Sequence, residues 1–356
     1  MPTLLEEITQ QPATLAGVRK YYASPGAIPG RALRQLAKRW PPLVIFTGMG
    51  SSLYAAYPAQ AYLTGMGFRA LTWETAELLH HHLKVLRPDT LLVVVSQSGE
   101  TIEVTELLAA LPRGVRILAV VNVEGSSLAR RADLLLPMMA GKQSPVTTKT
   151  YMCSVAVLMY LAFAIAEQDP APVTHALRQL IEIQERILDR QEELIPPTVE
   201  FFNHPTYTVL MSRGADLSTV YQGALVLKEV VRLGVEATSA AQFRHGPIEI
   251  INTAHRYVII ARKDWLRPRG HTNVTAKFLL GLAEEIRGHG GRVLLFTDLP
   301  VEEGVNMRIL HVETARLGLG TLADSLHIQL LAHELAVRAG LEPGKLWIAD
   351  EVTRVE

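Results

Sequence analysis

The sequence predicts an α/β protein made of two tandem units, each a parallel sheet with helices on both faces. Three observations predict it. Short apolar runs rich in Val, Ile and Leu alternate with stretches of helical spacing, the pattern of a parallel sheet covered on both sides. The alternation then recurs at an offset of roughly 165–175 residues, as a tandem duplication would. Each half also opens on a strand that runs into a glycine turn and a small-residue helix, at Gly48 in the first half and Gly214 in the second.

Residues 1–40 read as an amphipathic helical segment interrupted at Ser24-Pro25-Gly26. The first unit is expected over 41–167, with strands at Leu43–Phe46, Arg69–Thr72, Leu91–Val95, Ile117–Val121 and Leu134–Leu136. Helices are expected at Leu53–Leu63, Glu74–Lys84, Ile102–Ala110 and Thr147–Glu167. Gln168-Asp169-Pro170 breaks the pattern, so 168–205 reads as a connector whose charged helix stops at Pro196-Pro197. The second unit, 206–340, repeats the order with strands at Tyr207–Met211, Tyr257–Ala261, Val293–Phe296 and Ile309–Val312 and a closing helix at Leu322–Ala339. Residues 341–356 are left as a tail near the active site.

The 356 residues, 48% hydrophobic and 20% charged, suit two well-cored domains and exclude disorder. A formal net charge of zero gives no footprint for nucleic acid or an anionic membrane. Cys153 is the single cysteine, which excludes an intramolecular disulfide and a cysteine-based zinc cluster. Met1-Pro2-Thr3 starts no signal segment, and the apolar run Met152–Ile165 is too short to span a bilayer, so a cytoplasmic protein is expected.

The stretch most informative about chemistry is Leu91–Thr101. Five apolar residues, three of them Val, are followed by Ser96-Gln97-Ser98-Gly99-Glu100-Thr101 and then a helix. Strand, small polar loop and helix start present free N–H groups and a helix dipole to an anion, and three hydroxyls stand at the same point. A phosphate is the natural occupant. The plain alternative is an N-cap, but three hydroxyls and a glycine exceed what one cap needs. Gly48-Met49-Gly50-Ser51-Ser52 is no dinucleotide loop: Leu53 stands where the third glycine belongs, so no nicotinamide cofactor is expected. That loop still brings Ser51 or Ser52 to the carboxyl edge of the sheet beside Ser96. His80, His81 and His82 do not face one way on a helix, so no metal is expected.

In the second half Glu229 lies near a helix end, beside Val230 and Val231. Partial desolvation there would raise its pKa toward that of a general base. A solvated surface glutamate is the plain alternative. His245, before Gly246-Pro247, is held on a turn, either as an acid–base group or as an ordinary hydrogen-bonded turn histidine.

Taken together, Ser96-Gln97-Ser98-Gly99-Glu100-Thr101, Asn122-Val123-Glu124-Gly125-Ser126-Ser127-Leu128, Thr147-Thr148-Lys149, Leu227-Lys228-Glu229 and His245-Gly246-Pro247 resemble, in this order, the tandem sugar-isomerase (SIS) domain family. Within it they are most similar to the isomerase half of glucosamine-6-phosphate synthases. The resemblance covers about residues 40 to 356 and implies two flavodoxin-like SIS domains and a phosphosugar ligand. It implies that Ser52, Ser96, Gln97, Ser98 and Thr101 hold the phosphate and that Val146 and Thr147 line the sugar. It implies that Glu229 moves a proton between C1 and C2 and that His245, supplied by the partner subunit of a homodimer with shared active sites, opens the ring. No metal or organic cofactor is implied.

Departures narrow the activity. The chain shows Pro2 after Met1 where the synthases begin a glutaminase domain on a cysteine, so glutamine hydrolysis is not expected. Val226 replaces a lysine and Gln222 a glutamate of the synthase helix. The synthases' imine-forming tail lysine has no counterpart in register: Asp350 or Glu351 falls there, with Lys345 the only nearby candidate. The expected function is therefore a phosphosugar isomerase/deaminase, with glucosamine 6-phosphate converted to fructose 6-phosphate and ammonia as the leading case. A deglycase, a plain aldose–ketose isomerase, a synthase fed by free ammonia and a non-catalytic phosphosugar-binding protein are the alternatives.

Overall fold

The computed structural model describes residues 2–38, 40, 42–203, 205–263, 274–313, 315–348 and 353. They form two compact units. The first comprises Gln10–Arg178 and the tail from Leu346; the second comprises Pro2–Thr9 and Gln179–Lys345.

The first unit is a five-stranded parallel sheet of β1 (Leu43–Gly48), β2 (Ala70–Glu74), β3 (Thr90–Ser96), β4 (Arg116–Val121) and β5 (Leu134–Pro137), in the order β2-β1-β3-β4-β5. All seven residues of β3 are buried, as its run of valines requires of a central strand with helices on both faces. One face packs Ile45, Leu92, Val94, Ile117 and Ala119 against Val104 and Leu107 of the helix Ile102–Ala110. On the opposite side, the helix Lys149–Ile165 has sixteen buried residues.

The second unit contains β6 (Tyr207–Ser212), β7 (Val235–Ser239), β8 (His255–Ala261), β9 (Arg292–Thr297) and β10 (Met307–His311), also parallel. Its order, β10-β9-β8-β6-β7, is that of the first sheet read from the other edge. Both units are flavodoxin-like in strand order. The chain therefore reverses direction across the sheet between β1 and β3, and again between β6 and β8. In open α/β sheets ligands bind beyond the strand carboxyl ends at such a switch point.

Several expectations are corrected. Pro196 and Pro197 do not end the connector helix. The break falls earlier, at Arg190, between helices Ala171–Asp189 and Gln191–Phe202, and both prolines lie inside the second. The carbonyls they leave without a donor belong to Glu192 and Glu193, which are exposed, so water can serve them. The helix expected at Leu53–Leu63 is two, Ser51–Tyr54 and Tyr57–Gly65. The closing helix of the first unit starts at Lys149 rather than Thr147. The edge strand β7 and the helix Val274–Gly288 were not anticipated.

The chain passes from one unit to the other within the helix Ala171–Asp189, and the N-terminal segment is itself divided. Leu4–Thr9 packs on Thr321–Arg338, whereas Gln11–Tyr22 packs on Lys149–Ile165. Among the described residues, no helix is long and apolar enough to cross a membrane.

Candidate active site

At the first switch point, β3 ends at Ser96 and the chain turns through Gly99, whose φ of +69° only glycine adopts without strain. The Ser96 hydroxyl accepts the Gly99 N–H at 3.0 Å, and the Ser98 hydroxyl accepts the Glu100 N–H at 3.2 Å. Two of the three hydroxyls thus shape the loop by accepting, which leaves each O–H proton as a donor for an anion. Thr101 precedes the helix Ile102–Ala110 at the N-cap position, with φ −59° and ψ 143°, yet its side chain makes no capping hydrogen bond. The N-cap alternative fails at this residue.

The loop after β1 approaches from the neighbouring strand. A Cβ on Gly48 would lie 2.8 Å from the Val95 carbonyl oxygen and 2.9 Å from the Ser52 Cβ, so glycine is what lets the two loops meet. Here lies a cavity of about 20 Å³, lined by Ser51, Ser52, Gln97, Met138, Thr147, Thr150, Tyr151 and Ser154. Its volume is that of about one water molecule. Four residues anticipated from sequence (Ser51, Ser52, Gln97 and Thr147) are thereby brought together. Val146 is fully buried and does not line this cavity.

Thr150, Tyr151 and Ser154 were missed. Thr150 and Ser154 are hydroxyls four residues apart on a largely apolar helix, and that spacing was the available signal. Ser154 donates to the Thr150 carbonyl at 2.7 Å. The start of this helix is held by Gln143, whose Oε1 accepts from the N–H of Thr148 (3.3 Å) and of Thr150 (2.9 Å) and from the Thr150 hydroxyl (3.0 Å).

In the second unit the helix Leu217–Val226 runs into one turn of π-helix, Leu227–Val231, closed by Arg232 at φ +61°. Single π-turns are rare and concentrate at functional sites, because the widened turn re-aims one side chain. Glu229 sits within it. Burial raises its carboxyl to about 7, and its Oε2 is buried with no hydrogen-bond partner among the described residues. His245 follows the short helix Ala240–Phe243, its N–H donating to the Gln242 carbonyl at 3.0 Å, and its side chain is exposed. Gly246, at φ +114°, makes the turn beyond it. Lys345 is exposed and ion-paired to Glu342 at 2.8 Å, while Asp350 and Glu351 lie outside the described residues. Gln222 and Val226, the two departures from the synthase helix, are both buried.

The second switch point has a different chemistry. Where the first unit places Ser96 and Gln97, β8 ends and Arg262 follows, buried and paired with Asp324; the equivalent of Gly99, Asp264, lies outside the described residues. Asp216 stands beside the same arginine, and Asp298 accepts the Lys263 N–H at 3.1 Å. Three carboxylates against one guanidinium do not make an anion site.

Residues 41–166 match the SIS domain family. The first unit carries a SIS domain. The glutamine–fructose-6-phosphate aminotransferase (isomerizing) of Neisseria meningitidis serogroup A is 29% identical over 96% of this chain and 56% of its own length. That of Thermus thermophilus is 28% identical over 82% of this chain and 48% of its own. The chain thus spans about half the length of the curated relatives it matches. Among solved structures, the C-terminal domain of glucosamine-fructose-6-phosphate aminotransferase from Francisella tularensis superposes with a TM-score of 0.83 at 21% identity, covering 96% of this chain and 97% of that one. Glucosamine-6-phosphate deaminase from Thermotoga maritima superposes with a TM-score of 0.74 at 20% identity, covering 98% and 99%. These structures share the fold: two tandem units, each a flavodoxin-like parallel sheet flanked by helices.

Proposed function

We propose that this protein is a phosphosugar isomerase/deaminase acting on a hexose 6-phosphate, with glucosamine 6-phosphate as substrate and fructose 6-phosphate and ammonia as products. The observation that carries the proposal is Glu229, a carboxyl held near neutrality on a π-turn with one oxygen buried and unengaged. An aldose–ketose shift needs such a base beside C1 and C2. Ser52, Ser96, Gln97, Ser98 and Thr101 hold the phosphoryl group, and Ser51, Val146 and Thr147 bound the sugar.

The chemistry balances without a cofactor. His245 moves the proton that opens the ring and frees the C1 aldehyde. Glu229 removes the C2 proton, the enolamine forms, and the proton returns to C1. The product is a C2 imine, which one water hydrolyses to the ketose and ammonia. Because the substrate brings its own nitrogen, this direction needs no lysine imine. That favours it over synthesis from the ketose, since Lys345 is engaged at the surface with Glu342. His245, exposed on its own protomer, suits service to a second copy, so a homodimer with shared sites belongs to the proposal.

Purified protein should release ammonia and fructose 6-phosphate from glucosamine 6-phosphate in equal amounts. Glu229→Gln should lower kcat by about 10²–10⁴-fold, the usual contribution of a positioned general base. Full activity in that variant, or no turnover of any hexose 6-phosphate by the unmodified protein, would sink the assignment.

A further inference from the structure

The segment Asn122–Leu128 belongs to no step above, yet it underlies the anion loop. Asn122, just beyond β4, makes three hydrogen bonds. Its N–H donates to the Gln97 carbonyl at 3.2 Å, its Oδ1 accepts the Ala140 N–H at 3.0 Å, and its Nδ2 donates to the Gly141 carbonyl at 2.8 Å. A backbone donor at 140 and a backbone acceptor at 141 fix which way the amide points. One residue thus ties the loop after β3 to the segment after β5. That segment continues to Gln143, which caps the helix behind Thr147. Gln97 and Thr147 both line the small cavity, and Asn122 sets one against the other.

A second attachment lies on the loop's outer side. Glu100 Oε1 accepts the Ser127 N–H at 2.7 Å, at the start of the helix Ser127–Arg131, and this bond holds its carboxyl below the usual range. The Leu128 N–H donates to the Gly99 carbonyl at 3.2 Å.

We propose that Asn122 is the positioning residue of the anion loop, with Glu100 as its outer latch; the proposal rests on the phosphosugar assignment. Neither residue is given a contact with the reacting carbons. Both fix where Gln97, Ser98 and Thr101 stand when the phosphoryl group arrives. An interaction of that kind is felt equally in the ground and transition states, so its loss raises KM and leaves kcat.

The test measures inorganic phosphate binding by ³¹P NMR titration and steady-state turnover of glucosamine 6-phosphate, for the unmodified protein, Asn122→Ala and Glu100→Ala. Asn122→Ala should weaken phosphate and raise KM about ten-fold each, with kcat changed less than about two-fold. Its kcat should keep the same pH dependence, because Glu229 is untouched. Phosphate affinity equal to that of the unmodified protein, or a loss confined to kcat, overturns the inference while the phosphosugar assignment stands. An unmodified protein that binds no phosphate overturns the assignment and the inference with it. Should Asn122→Ala fail to fold, Glu100→Ala, at an exposed position, must show a smaller loss of the same KM-weighted kind. Unchanged phosphate affinity there is then the overturning result.

Discussion

Gly99 lies directly against Ser126: a Cβ placed on the glycine would fall 2.6 Å from the serine Cβ, closer than real side chains come. The loop after β3 therefore depends on this glycine for space as well as for its positive φ. Gly99→Ala should destabilise the first unit by about 1–3 kcal/mol, the usual result of overpacking a tight site. It should also weaken inorganic phosphate binding, since the loop must move to admit the methyl group. Calorimetry and phosphate titration on one preparation check both. A variant with normal stability and normal phosphate affinity would show that the loop carries no ligand-critical shape.

Thr101 offers a cleaner separation of fold from function. Its hydroxyl caps nothing, so Thr101→Val should leave stability within about 0.5 kcal/mol. If the hydroxyl donates to a phosphoryl oxygen, the same change should remove about 1.5–3 kcal/mol of affinity, as hydrogen bonds to charged groups do. Ser126 behaves in the opposite sense. It accepts the Ala129 N–H as a true N-cap, and Ser126→Ala should cost about 1 kcal/mol of stability. Isothermal titration and melting of the two variants side by side decide the matter; equal stability losses would remove Thr101 from the binding set.

Glu229 predicts a pH profile. In the proposed role of base it must be ionised, so kcat/KM should rise with pH and level off above about 7. The sign for stability is the reverse. The folded carboxyl, at about 7, holds its proton more tightly than the ordinary value of 4.5, so its contribution is fully present below 4.5 and lost as pH rises through 7. Glu229→Gln, slowed as proposed, should therefore be more stable than the unmodified protein at pH 8. An acid limb at the ordinary carboxylate value would place the catalytic group elsewhere.

Much of this was legible before any coordinates. The valine run of β3 and the helical period after it gave that strand and the helix Ile102–Ala110, because burial on both faces and a 3.6-residue stripe leave plain patterns. β7 escaped because Val235–Ser239 is an edge strand with two apolar residues among five. Pro196 and Pro197 misled because a proline marks a lost N–H, and an exposed turn can lose one without ending. At the site, hydroxyls clustered in one loop were readable, whereas Thr150 and Ser154 were hidden in an apolar helix. The π-turn under Glu229 has no sequence signature at all. Nor does the cluster around Arg262, whose members come from four separate segments joined only by topology.

That cluster yields the last prediction. Burial raises Asp216 to about 7, with Arg262 opposing and Asp324 adding to the shift, and burial raises Asp324 to about 6. Both carboxyls hold protons more tightly folded than unfolded, where their ordinary value is 3.8. Their stabilising contribution is complete below that value and is lost as pH climbs through 6 and 7. The melting temperature of the second unit should fall between about pH 5 and pH 8, beyond the slope that Glu229 accounts for. Asp216→Asn makes the neutral state permanent, so it should flatten that slope and exceed the unmodified protein at the alkaline end. Arg262→Met acts the other way: it strands buried carboxylates without their cation and should cost about 3–5 kcal/mol. Calorimetry across this range with the two variants tests the assignment. A slope unchanged by Asp216→Asn would move the titrating group to another member of the cluster, and an Arg262→Met protein as stable as the unmodified one would mean that the guanidinium never compensated those acids.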